Sequence, residues 1–195
     1  RPAATLRPKG FVQVPVLAVV DETPDVRTFR FARPEGFDFV AGQFLPVRVR
    51  IDGQDHIRCY SISSAPEARG YLEISVKRQG LVSNTLHATL RPGLLVTVKA
   101  PAGAFTYPSA DDRPLVLIAG GIGITPVMSM WRHAVQCDPG RAITLLYSAQ
   151  TADALAFRDE IALTARRHPQ TRVIFAVTRG EAPPDVYPGR IDDSL

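Results

Sequence analysis

Only two cysteines occur in the 195 residues, Cys59 and Cys137. Two distant thiols cannot build a disulfide framework, a zinc site or an iron–sulfur cluster. The four histidines (His56, His87, His133, His168) form no ligand-spaced pair. No G-x-S-x-G elbow is present, which disfavours a serine hydrolase, and no P-loop lysine follows the one glycine-rich turn. A charge-free stretch, Pro114–Trp131, has the length of a membrane span. Gly120, Gly121, Gly123 and Pro126 interrupt it, so it reads as strand, turn and helix, and no membrane span is expected. The net charge is +4: residues 1–108 carry 14 Lys/Arg against 9 Asp/Glu, and residues 109–195 carry 9 Arg against 10 Asp/Glu. That excess is too small and dispersed for a nucleic-acid footprint. It suits an anionic cofactor or an acidic protein partner in the first half. No signal peptide is read at the start, and a cytoplasmic chain is the expectation. The opening Arg1 in place of Met predicts a chain processed or excised from something longer, with residues 1–10 as a linker tail.

Against these absences stand 45% hydrophobic and 22% charged residues, ordinary globular usage, and 17 prolines that stiffen connections. The length suits two small domains. Residues 11–101 show period-two alternation rich in β-branched and aromatic residues. The predicted strands are Phe11–Val20, Val26–Phe31, Gln43–Ile51, Ile57–Ile62, Tyr71–Lys77 and Leu95–Lys99, with one short helix over Asn84–Leu90. Arg33-Pro34-Glu35-Gly36, Asp52-Gly53 and Arg91-Pro92-Gly93 supply turns. Six short antiparallel strands predict a β-barrel. From residue 113 the pattern changes to strand (Pro114–Ala119), helix (Ile124–Cys137), strand (Ala142–Tyr147), helix (Ala152–Arg167) and strand (Arg172–Val177). The apolar runs read as strands buried on both faces. This alternation predicts a parallel α/β domain over 113–195. Three strands are few for a nucleotide domain, so a domain incomplete at its C-terminal side is expected.

Three segments can carry chemistry. Gly120-Gly121-Ile122-Gly123-Ile124-Thr125-Pro126 follows a strand and opens a helix, where free N–H groups favour a phosphate. Arg58-Cys59-Tyr60-Ser61-Ile62-Ser63-Ser64 ends a strand; an Arg fork matches a phosphate, a Tyr ring covers an aromatic face, and a hydroxyl donates to a ring nitrogen. Gly80-Leu81-Val82-Ser83 offers a second helix start with a hydroxyl beside it. Each alone also reads as a plain glycine turn, a surface strand or an N-cap. Together they place one anionic ligand in each half, and the simplest chemistry is hydride transfer between two bound cofactors.

The order of these motifs resembles the ferredoxin–NADP⁺ reductase superfamily. Arg58, Tyr60, Ser61 and Ser64 match its R-x-Y-S-x-x-S/T pattern, Gly80 and Ser83 its G-x-x-S flavin-phosphate segment, and Ala41–Phe44 (AGQF) its strand start. Gly120–Pro126 looks like the nicotinamide-nucleotide turn of its oxygenase-reductase branch. The resemblance implies that the barrel (11–108) binds FAD, with FMN as the alternative. Tyr60 would lie against the isoalloxazine, Ser61 would bond its N5, and Arg58 would neutralise phosphate. The segments at Val76–Lys77 and Gly80–Val82–Ser83 would border the flavin. Gly121, Gly123, Ile124 and Thr125 would hold NADPH or NADH, with Thr125 near the nicotinamide. Arg179, after the last strand, is placed to read a 2′-phosphate. Phe105 and Tyr107 are candidates to stack on adenine. The family's Cys-Gly-Pro segment is absent; Cys137 lies on a helix and reads as a core thiol. The implied activity is NAD(P)H-dependent reduction of flavin, with electrons passed to an iron–sulfur or haem protein or fused domain. An electron-distributing subunit fed by a partner, and a non-enzymatic nucleotide-binding module, are the competing readings.

Overall fold

The computed structural model describes residues 10–109 and 112–192; most of the expected linker, residues 1–9, lies outside them. The first half contains β1 (Phe11–Thr23), β2 (Val26–Ala32), β3 (Phe44–Ile51), β4 (Gln54–Ser61), β5 (Tyr71–Lys77), α1 (Leu81–Thr89) and β6 (Leu95–Lys99). The strands form one antiparallel sheet in the order β4-β3-β6-β1-β2-β5, and an Ile62–Ile74 bridge brings its two edges together. β1 is longer than the alternation predicts because it is irregular in register between Val16 and Ala18 and between Asp21 and Thr23. Such bulges let one strand bend around a barrel corner. β4 starts three residues earlier than predicted. Asp52 and Gly53 both adopt positive φ (49° and 78°), the two-residue hairpin that matches strand twist. Phe29, Phe31, Leu45, Val47, Ile74 and Val98 fill the barrel, and Val82 and Leu86 of α1 join that core.

The second half contains β7 (Leu115–Gly120), α2 (Ile124–Cys137), β8 (Ile143–Ala149), α3 (Arg158–Arg167), β9 (Thr171–Val177) and β10 (Val186–Pro188), with a parallel sheet ordered β10-β9-β8-β7. There are four strands where three were predicted; β10 is three residues long and ends in Pro188, too short to leave a periodic signal. The second predicted helix also divides. Residues 152–154 form a 3₁₀ turn, then Phe157 takes a left-handed φ of 63° before α3 begins. Burial of Leu155, Ala156 and Phe157 against the core outweighs helix continuity there. Thr151 bonds the Asp153 side chain and does not cap a helix.

Nor is β7 buried on both faces: Val116 and Ile118 are exposed while Leu117 and Ala119 are buried. Two right-handed crossovers in one direction put α2 and α3 on the same face of the sheet, leaving the other face open.

The halves meet along α2. Ser129 Oγ donates to the Ser64 carbonyl at 2.7 Å, and Arg132 Nη1 donates to the Ser63 carbonyl at 2.9 Å and Glu73 Oε2 at 3.0 Å. Arg132 also holds Glu160 of α3 through two bonds. Gly42, at φ +102°, sits where a Cβ would collide with Met130 and the Phe105 carbonyl, so only glycine lets the barrel turn approach α2. Val26 and Ala41 of the barrel belong to the same apolar cluster as Trp131 and Tyr147.

Arg132→Met removes the cation from a carboxylate that is 6% exposed and leaves Glu73 with Arg30 alone. The expected cost is about 3 kcal/mol, or about 10 °C in Tm. Thermal unfolding by circular dichroism checks it; an unchanged Tm would show that the seam does not depend on this ion pair.

Candidate functional site

Two grooves open where the halves meet. The first, about 520 Å³, lies on the barrel side. Its walls are the β4 end (Arg58, Tyr60, Ser61), the segment Gly80–Ser83, and Ile122, Gly123 and Thr125 from the start of α2. The second, about 560 Å³, runs over the C-terminal ends of β8 and β9, with Tyr147, Ser148, Gln150 and Thr178 on one side and Pro24–Val26 of the barrel on the other. Ligands of open α/β sheets bind at this end of the strands. Lys77 and Ile122 line both grooves, so the two adjoin at that point.

The turn before α2 is shaped to leave backbone bare. Gly121–Gly123 form a 3₁₀ turn, and Gly121 takes φ +49°. A Cβ built on Gly120, Gly121 or Gly123 would meet no atom within 4 Å, so an added side chain would project into free space. Pro126 falls in the first turn of α2, where its missing N–H has no intrahelical partner to lose. Backbone N–H groups beside a helix start and an open cradle fit a phosphate. Tyr147 borders the second groove with its hydroxyl buried; burial pushes the phenol well above its ordinary range, offset in part by the Ala156 backbone. Periodicity marks Tyr147 only as the end of a buried strand, and its place beside the groove leaves no signal in the sequence.

In the first groove Tyr60 packs partly against the barrel core, and burial raises its phenol pKa. The Ser61 hydroxyl is engaged by no described residue. Arg58 is exposed and donates only to the neighbouring Ile57 carbonyl, at 2.8 Å. All three residues, with Cys59 between them, line the one groove.

Other predicted positions turn away. Ser64 is buried and its Oγ accepts the Glu73 N–H at 3.0 Å, so it braces the barrel and not a ligand. Val76 points into the barrel core, and Ser75 takes the place on the groove wall beside Lys77. α1 begins at Leu81, three residues before the prediction, with Gly80 as its N-cap. The Ser83 hydroxyl accepts the Gln79 N–H and donates to the Gly80 carbonyl, both at 3.0 Å; its work is to hold the loop. Ile124 is fully buried, backbone included, and lines neither groove. Thr125 Oγ1 donates back to the Ile122 carbonyl. Arg179 is exposed beyond the groove wall, its N–H tied to the Gln150 carbonyl at 2.7 Å. Phe105 is exposed outside both grooves, and Tyr107 is buried with its hydroxyl bonded to Asp138. Cys137 is exposed and not a core thiol; partial burial and the Glu67 carboxylate raise its pKa, so it is no activated nucleophile.

Comparison with known proteins agrees with this layout. The family model for oxidoreductase FAD-binding domains matches residues 13–107, and that for oxidoreductase NAD-binding domains matches 117–195. A flavohemoprotein of Oceanobacillus iheyensis is 34% identical over 175 residues, 84% of this chain and 43% of its own length. The flavohem-like FAD/NAD-binding domain of a Vibrio cholerae nitric oxide dioxygenase superposes with a TM-score of 0.86 at 28% identity, covering 95% of this chain and 81% of that one. A Neisseria gonorrhoeae ferredoxin NADP⁺ reductase with bound FAD and NADP gives 0.80 at 26%, covering 94% and 74%. The chain thus spans a little under half the length of the curated relative it matches.

Gly123 has φ −62°, which any residue adopts, and open space at its Cβ. Gly123→Val is expected to leave Tm unchanged while lowering pyridine-nucleotide affinity at least tenfold, about 1.4 kcal/mol. Fluorescence titration with NADPH and NADH checks this; undiminished affinity for both would remove the turn from the nucleotide site.

Proposed function

The chain belongs to the ferredoxin–NADP⁺ reductase superfamily, and on that premise we propose that it accepts hydride from NAD(P)H onto FAD and delivers electrons to a haem or iron–sulfur acceptor. The observation that carries this reading is that the two grooves adjoin, with Lys77 and Ile122 bordering both. A flavin ring on Tyr60 and a nicotinamide beside the Gly121–Gly123 turn would then meet face to face. When bound, the flavin supplies acceptance of an electron pair and release of single electrons.

The residues divide the work. Residues 11–108 would hold the flavin and residues 113–195 the nucleotide. Arg58, exposed and without an acidic partner among the described residues, can reach a phosphate. Tyr60 would shield one face of the ring. Ser61 would donate to the ring nitrogen as charge develops there, a contact that strengthens toward the transition state. The bare turn at Gly121 and Gly123 would take the nucleotide phosphate. The chemistry of the acceptor follows the curated relatives, whose flavohemoprotein name favours haem. The two free cysteines, both exposed, suit a reducing compartment, and we place the protein in the cytoplasm. No helix among the described residues is long and apolar enough to cross a membrane.

Ser61→Ala is expected to retain FAD but slow its anaerobic single-turnover reduction by tenfold or more. Arg58→Ala is expected to lose FAD on gel filtration, with affinity reduced about tenfold or more. Wild-type rates in the first variant and full occupancy in the second would remove both assignments. Flavin uptake without reduction by either nucleotide would instead mark a subunit fed by a partner protein.

For the nucleotide we propose a modest preference for NADPH. Arg179 follows β9, and no acidic residue directly follows β8, whose end reads Ser148-Ala149-Gln150-Thr151; Asp153, further on, lines the groove but already accepts a bond from Thr151 Oγ1. Arg179→Ala should lower the NADPH-to-NADH ratio of kcat/KM severalfold. A ratio that does not move assigns the preference elsewhere.

A further inference from the structure

Away from both grooves, the seam between the halves brings together Glu67, His133 and Cys137. His133 and Cys137 stand four residues apart on α2, so both side chains lie on one helix face. Glu67 comes from the other half, in the connection between β4 and β5. One ligand atom from each (a carboxylate oxygen, an imidazole nitrogen and Sγ) lies within 4.8 Å of the other two. His133 Nδ1 is already 2.8 Å from Glu67 Oε1.

Oxygen, nitrogen and sulfur donors in one cluster select a borderline-soft divalent cation over Ca²⁺ or Mg²⁺, which take oxygen alone. Zinc–ligand bonds of about 2.0–2.3 Å put tetrahedral ligands roughly 3.5 Å apart. The three atoms need only a short movement to meet that spacing, and Glu67 and Cys137 are on exposed residues that can make it. The histidine is held for the purpose. Its ring packs edge-on against Tyr107 at 4.9 Å, and the Tyr107 hydroxyl is fixed between Asp138 at 2.8 Å and Arg141 at 3.0 Å. Such support orients metal-binding imidazoles. Solvent reaches the cluster from an open groove beside Cys137, Asp138 and Gly140, leaving room for water as the fourth ligand.

We propose that Glu67, His133 and Cys137 form a zinc site that staples the barrel to α2. On binding, the metal takes the Cys137 sulfur as thiolate, its proton leaving to solvent, and takes His133 at Nδ1, whose proton moves to Nε2 by tautomerisation, so that two metal bonds replace the His133–Glu67 hydrogen bond. Because one ligand belongs to the barrel and two to α2, the ion resists separation of the halves.

The test uses the full chain, freed of metal and titrated with Co²⁺ and with Zn²⁺. The expected results are saturable binding of one ion, a thiolate-to-cobalt charge-transfer band in the difference spectrum, and a Zn²⁺-induced rise in Tm of about 5 °C at a hundredfold excess over Kd. Cys59→Ser should keep all three. Cys137→Ser should abolish the band, and His133→Ala and Glu67→Gln should each weaken Zn²⁺ binding at least tenfold. Absence of saturable binding, a band that survives Cys137→Ser, or affinity untouched by the His133 and Glu67 variants would each overturn the proposal. The readouts involve neither flavin nor nucleotide, so they stand apart from the proposed reductase activity.

Discussion

Helix α2 is seated on the barrel through polar groups, and the geometry of both grooves hangs on that seat. Ser129 and Arg132 reach backbone carbonyls of Ser64 and Ser63, immediately after the strand that ends in Tyr60 and Ser61. The same helix begins at the Gly121–Gly123 turn. A single helix therefore carries the glycine turn at one end and, about two turns along, grips the segment that follows β4. Buried carbonyls need partners, and here those partners come from the other half of the chain. Apolar burial adds to the seat: Trp131 and Met128 are fully buried in a cluster that includes Val26 and Ala41 of the barrel.

Ile122 and Lys77 mark where the two grooves adjoin. The position of Ile122 is set by the helix it precedes, and that of Lys77 by β5 and by its ion pair with Asp25 at 3.3 Å. Both residues border both grooves. Proximity of two bound reactants replaces an encounter in solution, and angstrom-scale misplacement is costly in rate. The polar seat of α2 is thus a positioning device as much as a source of stability.

Much of this was legible from residues alone. The bare glycine turn between an apolar run and an amphipathic stretch announced strand, turn and helix, and α2 spans the residues predicted, because glycine and proline leave few alternatives there. Alternation gave the six barrel strands, with errors at ends where bulges and the Asp52-Gly53 hairpin shift register. The hydroxyls of Ser64 and Ser83 were less legible. Both sit in motif positions, yet each is consumed by a local backbone N–H, and sequence spacing does not show which way a side chain turns at a strand end or helix start. Phe157 likewise breaks its helix for tertiary reasons, burial that local propensity does not record. The pairing of His133 with Cys137 escaped a search for like residues, and Glu67 joins them only through the fold.

We infer that the two grooves bring a nicotinamide and a flavin into direct contact. Stopped-flow reduction of the FAD-loaded chain by NADPH or NADH carrying deuterium at the transferred C4 position tests it most directly. Direct transfer predicts that the flavin bleaches in one turnover without any acceptor protein, and that one of the two C4 deuterium labels slows it by a primary isotope effect while the other does not. A chain that binds both FAD and nucleotide, yet leaves the flavin oxidised with either donor, would contradict the claim.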